Sequence, residues 1–91
     1  KAIDLAPKYA RAYNNRAWVL FLTQRAEQGL PDVERALELR PDYPEALNTR
    51  GSILEVLGRK EDAIADFRRA VMLRPEDDMS RDALRRLGVE P

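Results

Sequence analysis

Apolar residues recur along this chain at the spacing of amphipathic helices and not with the alternation of strands. In residues 60–73 one apolar stripe faces the expected core, and it consists of Ala63, Ile64, Phe67, Ala70 and Val71. In residues 44–57 the apolar residues form two stripes, so that helix is expected to be covered on two sides. The pattern predicts pairs of helices and an all-α fold class.

The sequence repeats itself at an interval of 34 residues. Residues 10–43 and 44–77 share twelve identical positions, and residues 1–9 align with residues 35–43. Such periods are typical of repeat proteins in which each helical hairpin leaves an apolar face that its neighbour covers. We therefore predict one domain with four parts: the end of a preceding repeat (1–9), two repeats (10–43 and 44–77), and a C-terminal capping helix and tail (78–91).

Glycine and proline mark the predicted helix ends. Gly58 is expected to end the first helix of the second repeat, and Pro41 and Pro75 are expected to end the second helices. Pro44 suits the first turn of a helix, where no donor is lost. Pro31 lies about one turn inside the expected second helix of the first repeat, so that helix is predicted to begin late, near Pro31, or to be kinked there.

Composition narrows the possible functions. The 91 residues include no histidine and no cysteine, which excludes Ser-His-Asp triads, Cys-His pairs, zinc fingers, haem ligands and iron–sulfur sites. Sixteen basic residues balance sixteen acidic ones, and such a balance does not favour nucleic acid. The longest apolar run, Ala17–Leu22, is too short to span a membrane. We expect no catalysis, no cofactor or metal, and no nucleic-acid or membrane partner.

The first residue is Lys1 and not Met, with neither a basic leader nor a cleavage site after it. We interpret the sequence as a piece of a longer soluble protein. The lack of cysteine is compatible with any compartment, and we expect a cytoplasmic location.

The repeated positions resemble a known family. Residues 44–77 are similar to a tetratricopeptide repeat at Leu47, Gly51, Leu54, Gly58, Ala63, Phe67, Ala70 and Pro75. Asn-Thr-Arg-Gly at 48–51 and Asn-Asn-Arg-Ala at 14–17 are similar to a type of this repeat that is common in bacteria. Residues 10–43 resemble it less completely, at Tyr13, Ala17, Leu20, Val33, Ala36 and Pro41. The resemblance implies antiparallel helix-turn-helix units stacked as a short right-handed α-solenoid, closed by the capping helix.

The first helix of each repeat lines the concave face of such a solenoid. The resemblance assigns ten residues to this groove: Arg11, Asn14, Trp18, Phe21, Leu22, Glu45, Asn48, Ser52, Glu55 and Val56. Aromatic residues of the first repeat beside carboxylates of the second suit a peptide with an apolar anchor and a basic or hydrogen-bonding group. Asn14 and Asn48 are expected either to form an amide ladder for a peptide backbone or to be solvated surface residues.

Other interpretations of the groove stay open. Trp18, Phe21 and Leu22 would also suit packing against a preceding repeat or against a helix of residues 1–6, or self-association. Some family members bind a C-terminal carboxylate through Lys and Asn. Here Asn14, Asn48 and Asp82 occupy the corresponding positions, and the missing Lys disfavours that ligand.

We predict a non-catalytic protein-interaction module that binds a peptide on its concave face as part of a larger protein. The partner would be a protein or peptide that the sequence does not identify. One alternative is a structural module that forms homo-oligomers through an open repeat end. Another is the substrate-recruiting arm of a larger enzyme.

Two charged clusters are expected to serve structure and not binding. Glu76, Asp77 and Asp78 lie where the last helix is expected to start, and we expect them to cap it, because negative charge there complements the helix dipole. Six arginines between Arg68 and Arg86 are interleaved with acidic residues. A salt-paired surface is therefore favoured over a basic ridge for an acidic partner.

Overall fold

The computed structural model describes the backbone of residues 2–89 and the side chains of residues 9–89. This range contains five helices: α1 (Ala2–Leu22), α2 (Ala26–Leu39), α3 (Pro44–Val56), α4 (Lys60–Leu73) and α5 (Asp78–Arg86). No strand occurs between residues 2 and 89. The predicted all-α fold class is confirmed.

The helices pack as a stack of hairpins. α1 packs on α2, and α3 packs on α4, each pair joined by a short turn. α3 also contacts α1 and α2, which joins the two hairpins, and α5 packs on α4. Ala83 and Leu84 of α5 share one buried cluster with Ala63 and Phe67 of α4. The predicted solenoid with a C-terminal capping helix is therefore confirmed.

The two hairpins fill the space between their helices with different residue pairs. A Cβ atom added to Gly51 would lie 2.9 Å from the Phe67 ring, so glycine lets α3 approach this buried aromatic residue. The equivalent pair, 34 residues earlier, is Ala17 and Val33, and both are fully buried. Alanine is larger than glycine, and valine is smaller than phenylalanine, so the two pairs fill a similar volume.

α1, α3 and α5 end in the same kind of turn. Gly58 and Gly88 have a φ of 83°, and Gln24 has a φ of 64°. In each turn the N–H of the next residue donates to the carbonyl five positions before it, at 2.7–2.8 Å. Gly58 ends α3 as predicted. Gln24 adopts the same left-handed conformation with a side chain, which costs energy that glycine avoids.

The proline predictions have mixed outcomes. α3 begins at Pro44, and α2 and α4 end two residues before Pro41 and Pro75, as predicted. The late start of α2 is wrong, because this helix begins at Ala26 and contains Pro31 as its sixth residue. The first turn closes ahead of the proline through backbone donation to Arg25. Pro31 therefore removes only its own hydrogen bond to the carbonyl four residues earlier.

α1 runs from Ala2 to Leu22 without a break. No helix boundary therefore falls at the predicted division after residue 9, and that division stays a prediction. One interpretation of the aromatic residues is wrong: Trp18 cannot pack against a helix of residues 1–6, because the described part of that segment belongs to the same helix as Trp18.

An ion pair recurs at the 34-residue interval and joins the two helices of each hairpin. Arg16 donates twice to Asp32, at 2.6 and 2.8 Å, and Arg50 donates twice to Asp66, at 2.8 and 2.9 Å. The hydrogen bond to Asp66 raises the pKa of Arg50 above its ordinary value. All four residues are among the identical positions of the repeats, but no pairing between them was predicted. Their common separation of 16 residues was the available signal.

Candidate functional site

A cavity of about 450 Å³ lies between α1, α3 and the turn that connects α4 to α5. We call it the α1–α3 cavity. Its lining residues are Asn14, Asn15, Trp18, Glu45, Asn48, Thr49, Arg74, Glu76, Asp77, Asp78 and Met79. This volume falls within the range of ligand-binding clefts, which is roughly 300–1,000 Å³.

The ten predicted groove residues fall into three groups in the structure. Those that line the α1–α3 cavity are Asn14, Trp18, Glu45 and Asn48. Those that line a second cavity, of about 470 Å³ beside the turn between α1 and α2, are Phe21 and Val56. Those that line neither of the two cavities are Arg11, Leu22, Ser52 and Glu55. Six of the ten predicted residues therefore line one or the other of these two cavities.

Trp18 and Phe21, the two aromatic residues near the end of α1, have different roles. Trp18 and Phe21 stack with their ring centroids 5.1 Å apart and their planes 23° apart. Phe21 packs against the main core cluster. Trp18 is half-buried and forms part of the cavity wall. Phe21 thus fixes the orientation of the ring that Trp18 offers to the cavity.

Asn14 and Asn48 are buried, with only 7% and 6% of their surface exposed. The interpretation as solvated surface residues is therefore wrong. Asn48 Nδ2 donates to Ser80 Oγ at 2.8 Å, which ties α3 to α5. Asn14 Oδ1 is buried and has no hydrogen-bond partner among the described residues. An unpaired buried acceptor is costly, so Asn14 lowers the stability of the fold at this position.

The two carboxylates that were predicted to suit a basic group of the ligand already have intramolecular partners. Glu45 accepts a hydrogen bond from Arg74, and Glu55 accepts one from Arg86 at 2.7 Å. These hydrogen bonds raise the pKa of both arginines above their ordinary values. A basic ligand would have to displace an arginine to pair with either carboxylate.

The turn before α5 supplies further acidic residues. Asp77 caps α5 and accepts a hydrogen bond from the Ser80 N–H at 3.2 Å, which confirms the predicted capping role of this acidic segment. Glu76, Asp77 and Asp78 also line the α1–α3 cavity, although none of the three was predicted to belong to the groove.

The charge of the cavity wall is therefore negative. Four carboxylates face one guanidinium, that of Arg74, among the lining residues. Met79 adds an apolar contact and is 50% exposed. The 34-residue register was the missed signal, because Met79 is the counterpart of Glu45, which was assigned to the groove.

The arginines near the C-terminus form a salt-paired surface, as predicted. Within the described residues, ion pairs join Arg69 to Asp42, Arg74 to Glu45, Arg85 to Asp82, and Arg86 to Glu55. Four of the six arginines thus have acidic partners.

Among the side chains that the structure describes, those of residues 9–89, no group of three could hold a metal ion. Within residues 2–89, no helix combines the length and the apolar character needed to cross a bilayer.

Hairpins stacked at a constant interval, with a cavity between neighbouring first helices, define a helical-repeat protein. A tetratricopeptide-repeat family model matches residues 23–78, which is more than half of the chain. The chain therefore belongs to the tetratricopeptide-repeat family, whose repeats generally mediate protein–protein interactions and are typically non-catalytic. No match was found among curated proteins or among solved structures.

Proposed function

We propose that this chain is a non-catalytic interaction module that binds a peptide segment in the α1–α3 cavity. The observation that carries the proposal is the combination of chemistries in that cavity: a half-buried Trp18 in its wall and an excess of carboxylates. A peptide with an apolar side chain next to lysine or arginine matches both.

The position of Trp18 within the repeat supports a role in ligand binding. Its counterpart on α3 is Ser52, and the neighbouring Leu22 corresponds to Val56. Val56 is 63% exposed although α2 packs against α3. By the same geometry, a hairpin preceding α1 would leave this side of α1 open. Packing against a preceding repeat is therefore a poor explanation for Trp18.

The sign of the charge supports a basic peptide and opposes a C-terminal carboxylate. Glu76 and Asp78 form no ion pair within the described residues, so both are available to a lysine or arginine of the ligand. An aliphatic stem could lie on the Trp18 ring at the same time. Since the carboxylates are at the surface, we expect added salt to weaken binding.

Replacing Trp18 tests the proposal. We expect Trp18→Ala to weaken binding of a short Lys- and Leu-containing peptide by about tenfold or more, because aromatic anchors dominate such interfaces. The free energy of unfolding should change by less than about 1 kcal/mol, because the ring lies in the cavity wall. Calorimetric titration and urea unfolding measure the two quantities.

Phe21→Ala is the matched control. This ring packs on the core, so its loss should lower the free energy of unfolding by about 2–4 kcal/mol. If Trp18→Ala lowered the stability by about 3 kcal/mol or more, Trp18 would belong to the core and the anchor role would be wrong.

A further inference from the structure

Arg74 is the one cationic residue among the described residues that line the α1–α3 cavity. It directly follows α4, and its guanidinium donates to Glu45 in the first turn of α3. A second lining carboxylate, that of Asp77, accepts hydrogen bonds from Ser80 at 3.0 and 3.2 Å. Glu45 is therefore the cavity carboxylate whose availability to a ligand depends on an arginine of the chain itself.

The contact between Arg74 and Glu45 is at the surface. The side chains are 46% and 51% exposed, so water reaches both, and an exchange of partners would leave neither charge buried. The hydrogen bond to Glu45 raises the pKa of Arg74 above its ordinary value, and the negative charges of Asp77 and Glu76 raise it further. Arg74 thus offsets the negative charge of more than one cavity carboxylate.

The first repeat shows a second position for the same arginine side chain. Arg40 is the counterpart of Arg74 and has nearly the same backbone conformation, with φ and ψ of −148° and 86° against −149° and 84°. The Arg40 guanidinium nevertheless lies over the Tyr43 ring, 4.5 Å from its centroid. The counterpart of Tyr43 is Asp77, which offers no ring. An arginine on this backbone can therefore take another position, and Arg74 can leave Glu45 without a change in the backbone.

We propose that Arg74 competes with the basic side chain of the ligand for the carboxylates of the α1–α3 cavity, and that a bound lysine or arginine displaces it from Glu45. This inference rests on the proposed function of the cavity. In the free protein, Arg74 occupies a place that suits the ligand's cation. It is therefore a specificity-determining residue, which lowers the affinity for basic peptides and leaves the affinity for neutral ones unchanged.

Arg74→Gln removes the competing cation. This variant should bind a short Lys- and Leu-containing peptide at least about fivefold more tightly than the parent chain, because Glu45 becomes available to the lysine. Titration followed by Trp18 fluorescence measures the two affinities.

Arg86→Gln is the matched control. Arg86 also lies at the end of a helix and also donates to a carboxylate of α3, so the same charge and the same interaction with the helix dipole are lost. Neither Arg86 nor its partner Glu55 lines the α1–α3 cavity. This variant should change the affinity for the peptide by less than about twofold, because screening weakens the effect of charges outside the cavity. Both variants should melt within about 5 °C of the parent chain, since surface ion pairs contribute little.

A second peptide, with glutamine in place of lysine, separates competition for charge from the loss of side-chain volume. The parent chain and Arg74→Gln should respond to this neutral peptide alike, because it does not need the carboxylate that Arg74 releases. Arg74→Lys keeps a cation in the cavity wall, and its gain in affinity for the lysine peptide should be smaller than that of Arg74→Gln.

Two results would overturn the inference and leave the proposed function intact. In the first, the parent chain binds the lysine peptide, but Arg74→Gln binds it no more tightly than Arg86→Gln does. In the second, Arg74→Gln gains equally for the glutamine peptide, because the arginine would then obstruct the cavity by its size. If neither the parent chain nor any variant responds to the lysine peptide, the proposed function fails and this inference fails with it.

Discussion

Gln24 follows α1 in a left-handed conformation, at the position where Gly58 follows α3. The alignment of the repeats places the two residues together, but a sequence pattern does not predict that glutamine will adopt this conformation. The hydrogen bonds of the turn impose it.

Asn14 and Asn48 occupy the same position of the two repeats, but they differ in their hydrogen bonds in a way that the repeat pattern does not predict. Asn48 has Ser80 as its partner, whereas the residue at the same spacing from Asn14 is Ala46, which offers no side-chain hydrogen bond.

Gln24→Gly should raise the free energy of unfolding by about 1 kcal/mol, because glycine adopts a positive φ without steric cost. Urea unfolding measures the change. Gly58→Ala is the matched control and should lower the stability by a similar amount. An added Cβ at Gly58 would meet no atom within 4 Å, so the loss would come from the backbone alone. A Gln24→Gly variant less stable than the parent chain would contradict this account of the turn.

At the scale of helices, the sequence was most informative where a residue constrains its own backbone. The ends of α2, α3 and α4 followed from Gly58, Pro41 and Pro75. The start of α2 could not be predicted from Pro31. A proline removes one backbone hydrogen bond, but tertiary packing can still stabilise the helix on both sides of it. Ala26 and Gly29, which precede the proline, are both buried. This tertiary burial, which single-residue rules do not contain, extends the helix.

Where α3 packs on α4, the effect of Gly51→Ala on stability should depend on the residue at position 67. Gly51→Ala should lower the free energy of unfolding by about 1–3 kcal/mol, because the added methyl group meets the buried Phe67 ring. In the Phe67→Val background the same substitution should be neutral or stabilising, because space is available and alanine favours the helix by about 1 kcal/mol. A double-mutant cycle measured by urea unfolding tests this coupling. Additive effects of the two substitutions would contradict it.

At the scale of the whole molecule, the 34-residue register predicted the stack of hairpins, and the family resemblance predicted part of the cavity. The resemblance assigned Asn14, Trp18, Glu45 and Asn48 to the groove, and all four line the cavity. The register places a residue on a helix face. It does not predict which carboxylates are neutralised within the molecule, because the partners of Glu45 and Glu55 come from segments distant in sequence. The acidic turn before α5 was not predicted to line the cavity, because the helices that it faces there, α1 and α3, are also distant from it in sequence.

Trp18 is the only tryptophan of the chain, and it lines the α1–α3 cavity. Its fluorescence therefore reports directly on whether this cavity binds a ligand. Titration with a short peptide that contains lysine and leucine should change the Trp18 emission in a saturable way. The response should weaken with salt, and the same peptide with glutamate in place of lysine should give none. Equal responses to the two peptides, or no response to either, would contradict the assignment of this cavity as a site for a basic, apolar peptide.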